Sequence, residues 1–580
     1  MTRGRLLAIL VAVAIVSAIW MLLPRRAREL TLAPDPRVVR GAIHVHTTRS
    51  DGAGTPDDVA LAARRAGLDF VILTDHGDGL RAPDPPRYVD GVLVIDAVEI
   101  STADGHLVAL GIGQAPYRLA GDARDVIDDV HRLGGFGFAA HPDSPKAQLR
   151  WKDADVWGDG FEWINADSEW RDETRLTLAR AFLTYGLRGP ESIVAMFDRP
   201  DASLAGWDLR GATARIVAIG AADAHARVPL GPGAEPGEGQ SLHIPSYESS
   251  FRALSVSVEL PTPVQHTSAS ASADASRVLA GLRAGHTFTT IDGIAGPARL
   301  TFSASSLGGR ASMGDAVLAD GPVTLSASLA PAMSDAFLSI LKNSHEIVAE
   351  SASHPVTVEH GPLEGAAVYR VEVHLPGAPG TPPVPWIVSN PIYVRPVWSV
   401  PAAVVREEVR VLLDSSGGRS WAIEKAPTSQ ASIAAGVSTD GTSGMRFTWR
   451  LGDGVPHGQY AALALPVSAA DFEGIDALEL RLQAPRPMRL SVQLRVPQGT
   501  DLRWERSVYV DATPRSVVLP LGDMRPVDGP KQQHVDLARV DTLLLVVDTV
   551  NATPGSAGEC WVGKVAVARP TRRAEATSAQ

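Results

Sequence analysis

His44-Val45-His46 places two imidazoles at i and i+2. In an extended strand such side chains share a face and can share one metal ion. Ser50-Asp51-Gly52 follows this pair, and Thr74-Asp75-His76 closes the next apolar run. Glu99 then precedes Gly105-His106, His141 precedes Pro142, and Asp223-Ala224-His225 repeats the i, i+2 spacing. Taken singly each motif is weak: a strand histidine is more often core or surface, Glu99 reads equally as a solvated strand end, and His141-Pro142 as a turn. Jointly, nine His, Asp and Glu residues at expected strand ends are not explained as independent accidents. Such donors suit two or three divalent ions, with zinc, manganese and iron equally compatible. Two adjacent ions would acidify a bridging water to a hydroxide nucleophile and polarise a phosphoryl or acyl oxygen. Cys560 is the only cysteine, so a thiolate site and an intrachain disulfide are both excluded.

The elements that must position these groups alternate short apolar runs with helical stretches between residues 40 and 226. That alternation predicts successive βα units and a parallel sheet. Strands are expected at Gly41–His46, Phe70–Thr74, Val92–Ile100, His106–Ile112, Phe136–His141, Phe161–Asn165 and Arg215–Ala221. The best-marked helix opens at Thr55-Pro56-Asp57-Asp58, with a capping residue, an N1 proline and early acids, and stops at Gly67. Seven strands predict a distorted, TIM-like (β/α)7 barrel over residues 38–258, whose strand ends converge on one mouth. Beyond it, a helix near Ser276–Arg283 and turn-rich strands predict a β-sandwich over 259–397, and residues 402–570 a second sandwich or jelly roll. The fold class is thus α/β plus all-β. Residues 571–580 read as a disordered tail.

The stretch HVHTTRSDG, then TDH, Glu99 with GHLVALG, AHP at 140–142 and DAH at 223–225 resemble the successive metal-binding motifs of PHP (polymerase and histidinol phosphatase) proteins. The resemblance covers residues 40–226. Within that superfamily the Glu99-to-His106 spacing, FEWIN at 161–165 and PWIVSNPIYV at 385–394 are similar to the branch that includes carbaryl hydrolase. The resemblance implies that His44, His46 and Asp223 hold one ion, that Glu99 bridges, and that His106 and His141 hold a second. Asp51, His76 and His225 would form a third site, with Asp51 where trinuclear members commonly carry histidine. Without a third ion, His76 and His225 would instead hydrogen-bond an anionic substrate. Asp223 is the candidate proton acceptor, and His76 a candidate to stabilise developing charge. Lys146, Asn165 and Arg252 are candidate substrate contacts, although each also reads as a surface or packing residue.

These features point to a metal-dependent hydrolase, a phosphoesterase first and a carbamate, ester or amide hydrolase second. An inactive barrel with polysaccharide-binding sandwiches is the alternative of a different class. The formal charge of −11 and the lack of a Lys/Arg stripe argue against nucleic acid as a partner. Trp386, Trp398, Trp421, Trp449, Trp504 and Trp561 read as core anchors before exposed sugar platforms. Within residues 1–30, Leu6 to Leu23 carries no charge and is flanked by Arg3 and Arg5 before it and Arg25, Arg26 and Arg28 after it. The run is about long enough to span a bilayer at 1.5 Å per residue. It predicts a signal anchor, or a signal peptide cleaved near Val16-Ser17-Ala18, and in either case an exported or membrane-anchored catalytic part on the extracytoplasmic side.

Overall fold

A computed structural model describes residues 20–153, 155–229, 240–318, 321–361, 365–395, 406–413, 419–454, 457–497, 502–527, 529 and 533–570. Most of the expected anchor, the expected tail and Trp398 lie outside these residues. Among the described residues no helix is long and apolar enough to cross a membrane. The chain forms two compact units, one of residues 1–113 and 127–398, the other of 114–126 and 399–580.

In the first unit β1 (Val38–Ala42) is followed by α1 (Pro56–Arg65), which starts as the sequence predicts: Thr55 caps Asp58 N, Asp58 caps back, and Pro56 stands at the first position. Next come β2 (Phe70–Leu73), β3 (His76–Gly77), β4 (Val92–Asp96), β5 (Val98–Thr102) and β6 (Gly105–Leu110). Helix α2 (Ala123–Arg132), of which residues 127–132 belong to this unit, leads to β7 (Phe136–Ala139) and β8 (Gly160–Asn165). Four helices, α3 (Ala166–Glu169), α4 (Arg175–Tyr185), α5 (Gly189–Val194) and α6 (Asp201–Gly211), precede β9 (Val217–Ala221). Then α7 (Tyr247–Ala253), β10 (Ser255–Glu259), α8 (Ala271–Ala284) and β11 (Thr287–Thr290) follow.

The strands divide between two sheets. One runs β9-β8-β7-β6-β5-β3, and the other contains β11-β10-β1-β2-β4 in that order. The expected strand Val92–Ile100 breaks at Ala97, and its halves join different sheets, so the chain steps from one to the other there. Residues of both sheets share one core, including Val39, Phe70, Ile95, Val108, Phe138 and Ile219, closed by Ala275, Val278 and Leu282 of α8. The pairing departs from the uniform parallel alternation expected of a (β/α)7 barrel. β5–β6, β6–β7 and β10–β1 are antiparallel, and no helix among the described residues separates β2 from β4 or β4 from β6. The reason is local: Thr102 pairs with Gly105 across Ala103-Asp104, a tight hairpin that turns the chain back at once. Gly105 has φ +132°, a conformation that a side chain rarely adopts.

Residue 258, where the barrel is expected to end, lies inside β10, and the same sheet continues through β11 into the sandwich strands. These are β12 (Arg299–Ser306), β13 (Val323–Ala330), β14 (Phe337–Lys342), β15 (Ala367–His374), β16 (Ile387–Ser389) and β17 (Ile392–Arg395). β11 pairs with β16, β16 with β15, and β12 with β13. Trp386 is fully buried among them and donates to Ala295 O at 2.8 Å. Helix α8 starts five residues before the expected Ser276, because a Thr267–Ser270 capping turn launches it.

Among its described residues, the second unit is a sandwich of two six-stranded sheets. Apolar side chains alternate inward into one core that includes Leu463, Leu480, Val492, Leu545 and Val565. Trp449, Trp504 and Trp561 are buried in it and Trp421 packs half-buried against it, so the core reading of these tryptophans holds.

Candidate metal centre

Backbone geometry at the ends of β1 and β9 builds the first part of the site. An isolated parallel bridge joins Val45 to Ala224, with His46 N donating to Ala224 O at 3.1 Å and Ala224 N to His44 O at 3.2 Å. His44-Val45-His46 and Asp223-Ala224-His225 therefore lie side by side. The expected strand through His46 ends at Ala42, and His44 takes φ 65°, so the two imidazoles do not converge by strand alternation. His141 (φ 32°) and Asp223 (φ 41°) share this left-handed conformation. Such strain in non-glycine residues persists only where surroundings over-determine it, and three cases in one cluster mark a functional centre.

The side chains meet in one buried group. His44 Nε2 lies 3.2 Å from Glu99 Oε2 and 3.4 Å from Asp223 Oδ1, and His46 Nε2 lies at the same two distances from the same atoms. Donors about 2.0–2.2 Å from a tetrahedral ion are about 3.3–3.6 Å apart, so this spacing fits a four-coordinate cation. Both Nε2 atoms are buried without a hydrogen-bond partner, which is costly unless a cation takes their lone pairs. Glu99 turns its other oxygen, Oε1, to His106 Nδ1 at 2.8 Å and His141 Nε2 at 3.1 Å, so its two oxygens face two sides. Asp51 completes the cluster, with Oδ1 3.3 Å from His46 Nδ1 and Oδ2 3.2 Å from His225 Nε2 and 3.7 Å from His76 Nε2. His76 Nδ1 is 3.2 Å from Glu99 Oε2, and β3 pairs with β5 in a register that sets His76 beside Glu99. All nine residues expected from the sequence thus come together, and the cluster offers a site for divalent metal.

Without a metal, protons on the imidazoles offset the charge of the clustered carboxylates. Burial opposes charging His44, but Asp223, Glu162 and Glu99 outweigh it and hold its pKa well above the imidazole range. Burial likewise opposes His46 and His141, yet the carboxylates of Asp223, Asp51 and Glu99 beside the former and of Glu99 beside the latter outweigh it and raise both. Burial would raise Glu99 and Asp223, but the surrounding imidazoles keep both well below the carboxylate range. His76 differs. Burial, with His46 and His106 nearby, lowers its pKa despite Glu99 and Asp51, leaving it neutral at pH 7.

No family model matches the chain, and neither does any curated protein.

Among solved structures, the chain is similar to a two-domain protein from Bacteroides vulgatus described as containing a predicted PHP-like metal-dependent phosphoesterase. The identity is 15% over 60% of this chain and 94% of that one, with a TM-score of 0.27. A family 11 carbohydrate-binding module of Clostridium thermocellum aligns at 14% identity over 29% of this chain and 97% of the module, with a TM-score of 0.23. Likenesses this low carry no argument about activity, which rests on the side chains.

The supporting residues went largely unread in the sequence. Glu162, on the wholly buried β8, sets Oε1 2.5 Å from His44 Nδ1, while Oε2 accepts from His141 N at 2.7 Å and Asn165 Nδ2 at 2.8 Å. His141 Nδ1 faces Leu149 O at 3.0 Å and His225 Nδ1 faces Asp223 O at 3.0 Å. Each of these three imidazoles is therefore anchored through Nδ1, which leaves Nε2 for the cluster. Asp75 accepts from Thr47 N, Thr47 Oγ1 and Ser50 Oγ, fixing the loop that carries Asp51. Tyr247 donates to His46 O at 2.8 Å. A charged residue between Phe161 and Trp163 in an apolar strand was the available signal for Glu162.

Of the expected substrate contacts, Asn165 adjoins the cluster, but its groups are committed. Nδ2 donates to Glu162 and to Asp223 Oδ2, and Oδ1 caps the N–H groups of Asp167 and Ser168 at the start of α3. Arg252 bonds Glu248 and the Arg65 carbonyl, not the cluster, because it projects from the exposed side of α7. Lys146 is half-buried in the loop that supplies Leu149 to His141.

Proposed function

We propose that the chain is a metal-dependent hydrolase whose first substrates are phosphate esters. The observation that carries this reading is the pair of orphaned Nε2 atoms of His44 and His46 facing Glu99 and Asp223 at tetrahedral spacing. His44, His46 and Asp223 would hold one divalent ion, Glu99 would reach toward it and toward a second on the His106–His141 side, and Asp51, His76 and His225 would serve a third. Bound there, the ions supply Lewis acidity and make water acidic enough to attack near neutral pH.

The remaining roles fall to this chain's own groups. Asp223, anionic across neutral pH and steadied by Asn165, is the proposed acceptor of the attacking water's proton. His76 is the most open imidazole of the cluster, with 36% of its side chain exposed. Where no third ion binds, His76 instead donates a hydrogen bond to the oxygen on which charge develops. A cleft of about 110 Å³ beside His76, edged by Arg49 and Arg81, receives part of the substrate. Its arginines pair with Asp84 and Asp96, so they can present N–H groups to a phosphate while the cleft stays near neutral.

The extracytoplasmic location is proposed on the uncharged Leu6–Leu23 run alone. A panel of phosphomonoesters, phosphodiesters and carbamates, assayed with zinc, manganese or iron, tests the activity. Turnover of a phosphate ester that disappears in Glu99→Ala supports the proposal. Turnover of carbamates alone would replace the substrate class, and equal turnover by Glu99→Ala would remove the mechanism.

A further inference from the structure

Helix α4 is built inside out. Its one buried residue is Thr184, which bonds Arg180 O at 2.8 Å and Ser192 Oγ at 2.8 Å. Leu176, Leu183 and Leu187 are instead 81%, 67% and 67% exposed, and Phe182 is 61% exposed beside them. Leu176, Arg180 and Leu183 follow the i, i+4, i+7 spacing that puts residues on one line of a helix, and Leu187 stands in the turn just past its end. A surface helix ordinarily buries such a line, and a contiguous exposed one marks a contact surface.

The position of the line identifies what it meets. Arg180 Nε donates to Leu22 O at 2.6 Å, and Arg188 donates to Pro24 O, so the end of the uncharged Leu6–Leu23 run is fastened to α4. Trp20 and Met21, at that end, are 73% and 75% exposed. No slack follows. Ala27 N donates to Glu191 at 3.1 Å, Arg28 N to Ile294 O at 3.0 Å and Leu30 N to Gly296 O at 2.9 Å. A body tied within a few residues of a membrane-inserted run cannot stand off from the bilayer.

We infer that the exposed side of α4 and the turn after it are a membrane-contact surface, with Leu176, Phe182, Leu183 and Leu187 seated in the lipid interface beside Trp20 and Met21. Arg25, Arg26 and Arg175, all near this face in sequence or on the helix, supply charge for anionic headgroups. The inference is independent of the hydrolase reading and rests on the proposed membrane insertion of the Leu6–Leu23 run.

The test uses the full chain carrying Leu183→Cys or Leu187→Cys, labelled with a fluorophore and reconstituted into phosphatidylethanolamine–phosphatidylglycerol vesicles. Cys560 is 1% exposed and stays unlabelled in the folded protein. Nitroxide-bearing lipids should quench both positions, while iodide quenches them several-fold less than the free dye–cysteine adduct. Iodide quenching equal to that of the free adduct, without lipid quenching, would overturn the inference. Protection from both quenchers would overturn it too, by showing that a second copy or another protein covers the face.

Discussion

Glu162→Gln separates an ordered metal site from a chance gathering of histidines. The substitution keeps shape and volume but leaves one acceptor oxygen and one amide nitrogen. The Oε2 position accepts from His141 N at 2.7 Å and Asn165 Nδ2 at 2.8 Å, so the glutamine oxygen must stay there. The NH2 group then faces His44 Nδ1, which has to give up its proton to become an acceptor, so the one proton left on the ring sits on Nε2. That nitrogen points at Glu99 and Asp223, so the proton occupies the lone pair a metal needs. Losing such an orienting partner typically costs 10–100-fold in metal affinity, about 1.4–2.7 kcal/mol. Competition against a chromophoric chelator should show a weakening of about that size, and the metal-free protein should melt lower, because His44 loses a buried carboxylate that favours its charged form. Wild-type affinity in Glu162→Gln would refute the tautomer argument.

Glu99→Ala removes the carboxylate that faces both sides of the cluster, and it should lose more activity than the roughly 10–100-fold of an outer partner, together with bound metal, by assay and elemental analysis. The raised pKa values of His44, His46 and His141 set a pH dependence. Their stabilising contribution is complete below the unfolded value of about 6.5 and is lost as pH rises through the folded values. The metal-free protein should therefore melt lower as pH rises above about 6.5, and divalent metal should flatten that slope in thermal melts. Metal uptake should release protons, read by calorimetry in buffers of different ionisation enthalpy. In Gly52→Ala the new Cβ would lie 2.3 Å from His46 O, so the loop bearing Asp51 must shift. A loss of about 1–3 kcal/mol in denaturant melts, with weaker metal binding, is expected.

The ligand set was legible because it needs little tertiary information. His44, His46, His76, Glu99, His141, Asp223 and His225 end or follow apolar runs and His106 opens one, and any fold that aligns those run ends collects them. The route was less legible. Asp104-Gly105 signals a hairpin, but the apolar runs around it read equally as parallel strands, and only pairing decides. The same holds at Ala97, where a continuous apolar run divides between two sheets. Glu162 and Asp75 escaped notice because orienting residues act through Nδ1 atoms and loop amides, which have no spacing rule. Asn165 was found, but its role shifted from binding substrate to steadying Asp223, since hydrogen-bond commitments are invisible in one dimension.

Metal content of the full chain, purified without chelator and measured by elemental analysis, tests the central claim most directly. The account predicts about two or three equivalents of transition metal per chain, falling in Glu99→Ala. A protein that is empty as purified, and takes up neither zinc, manganese nor iron at neutral pH, would contradict it.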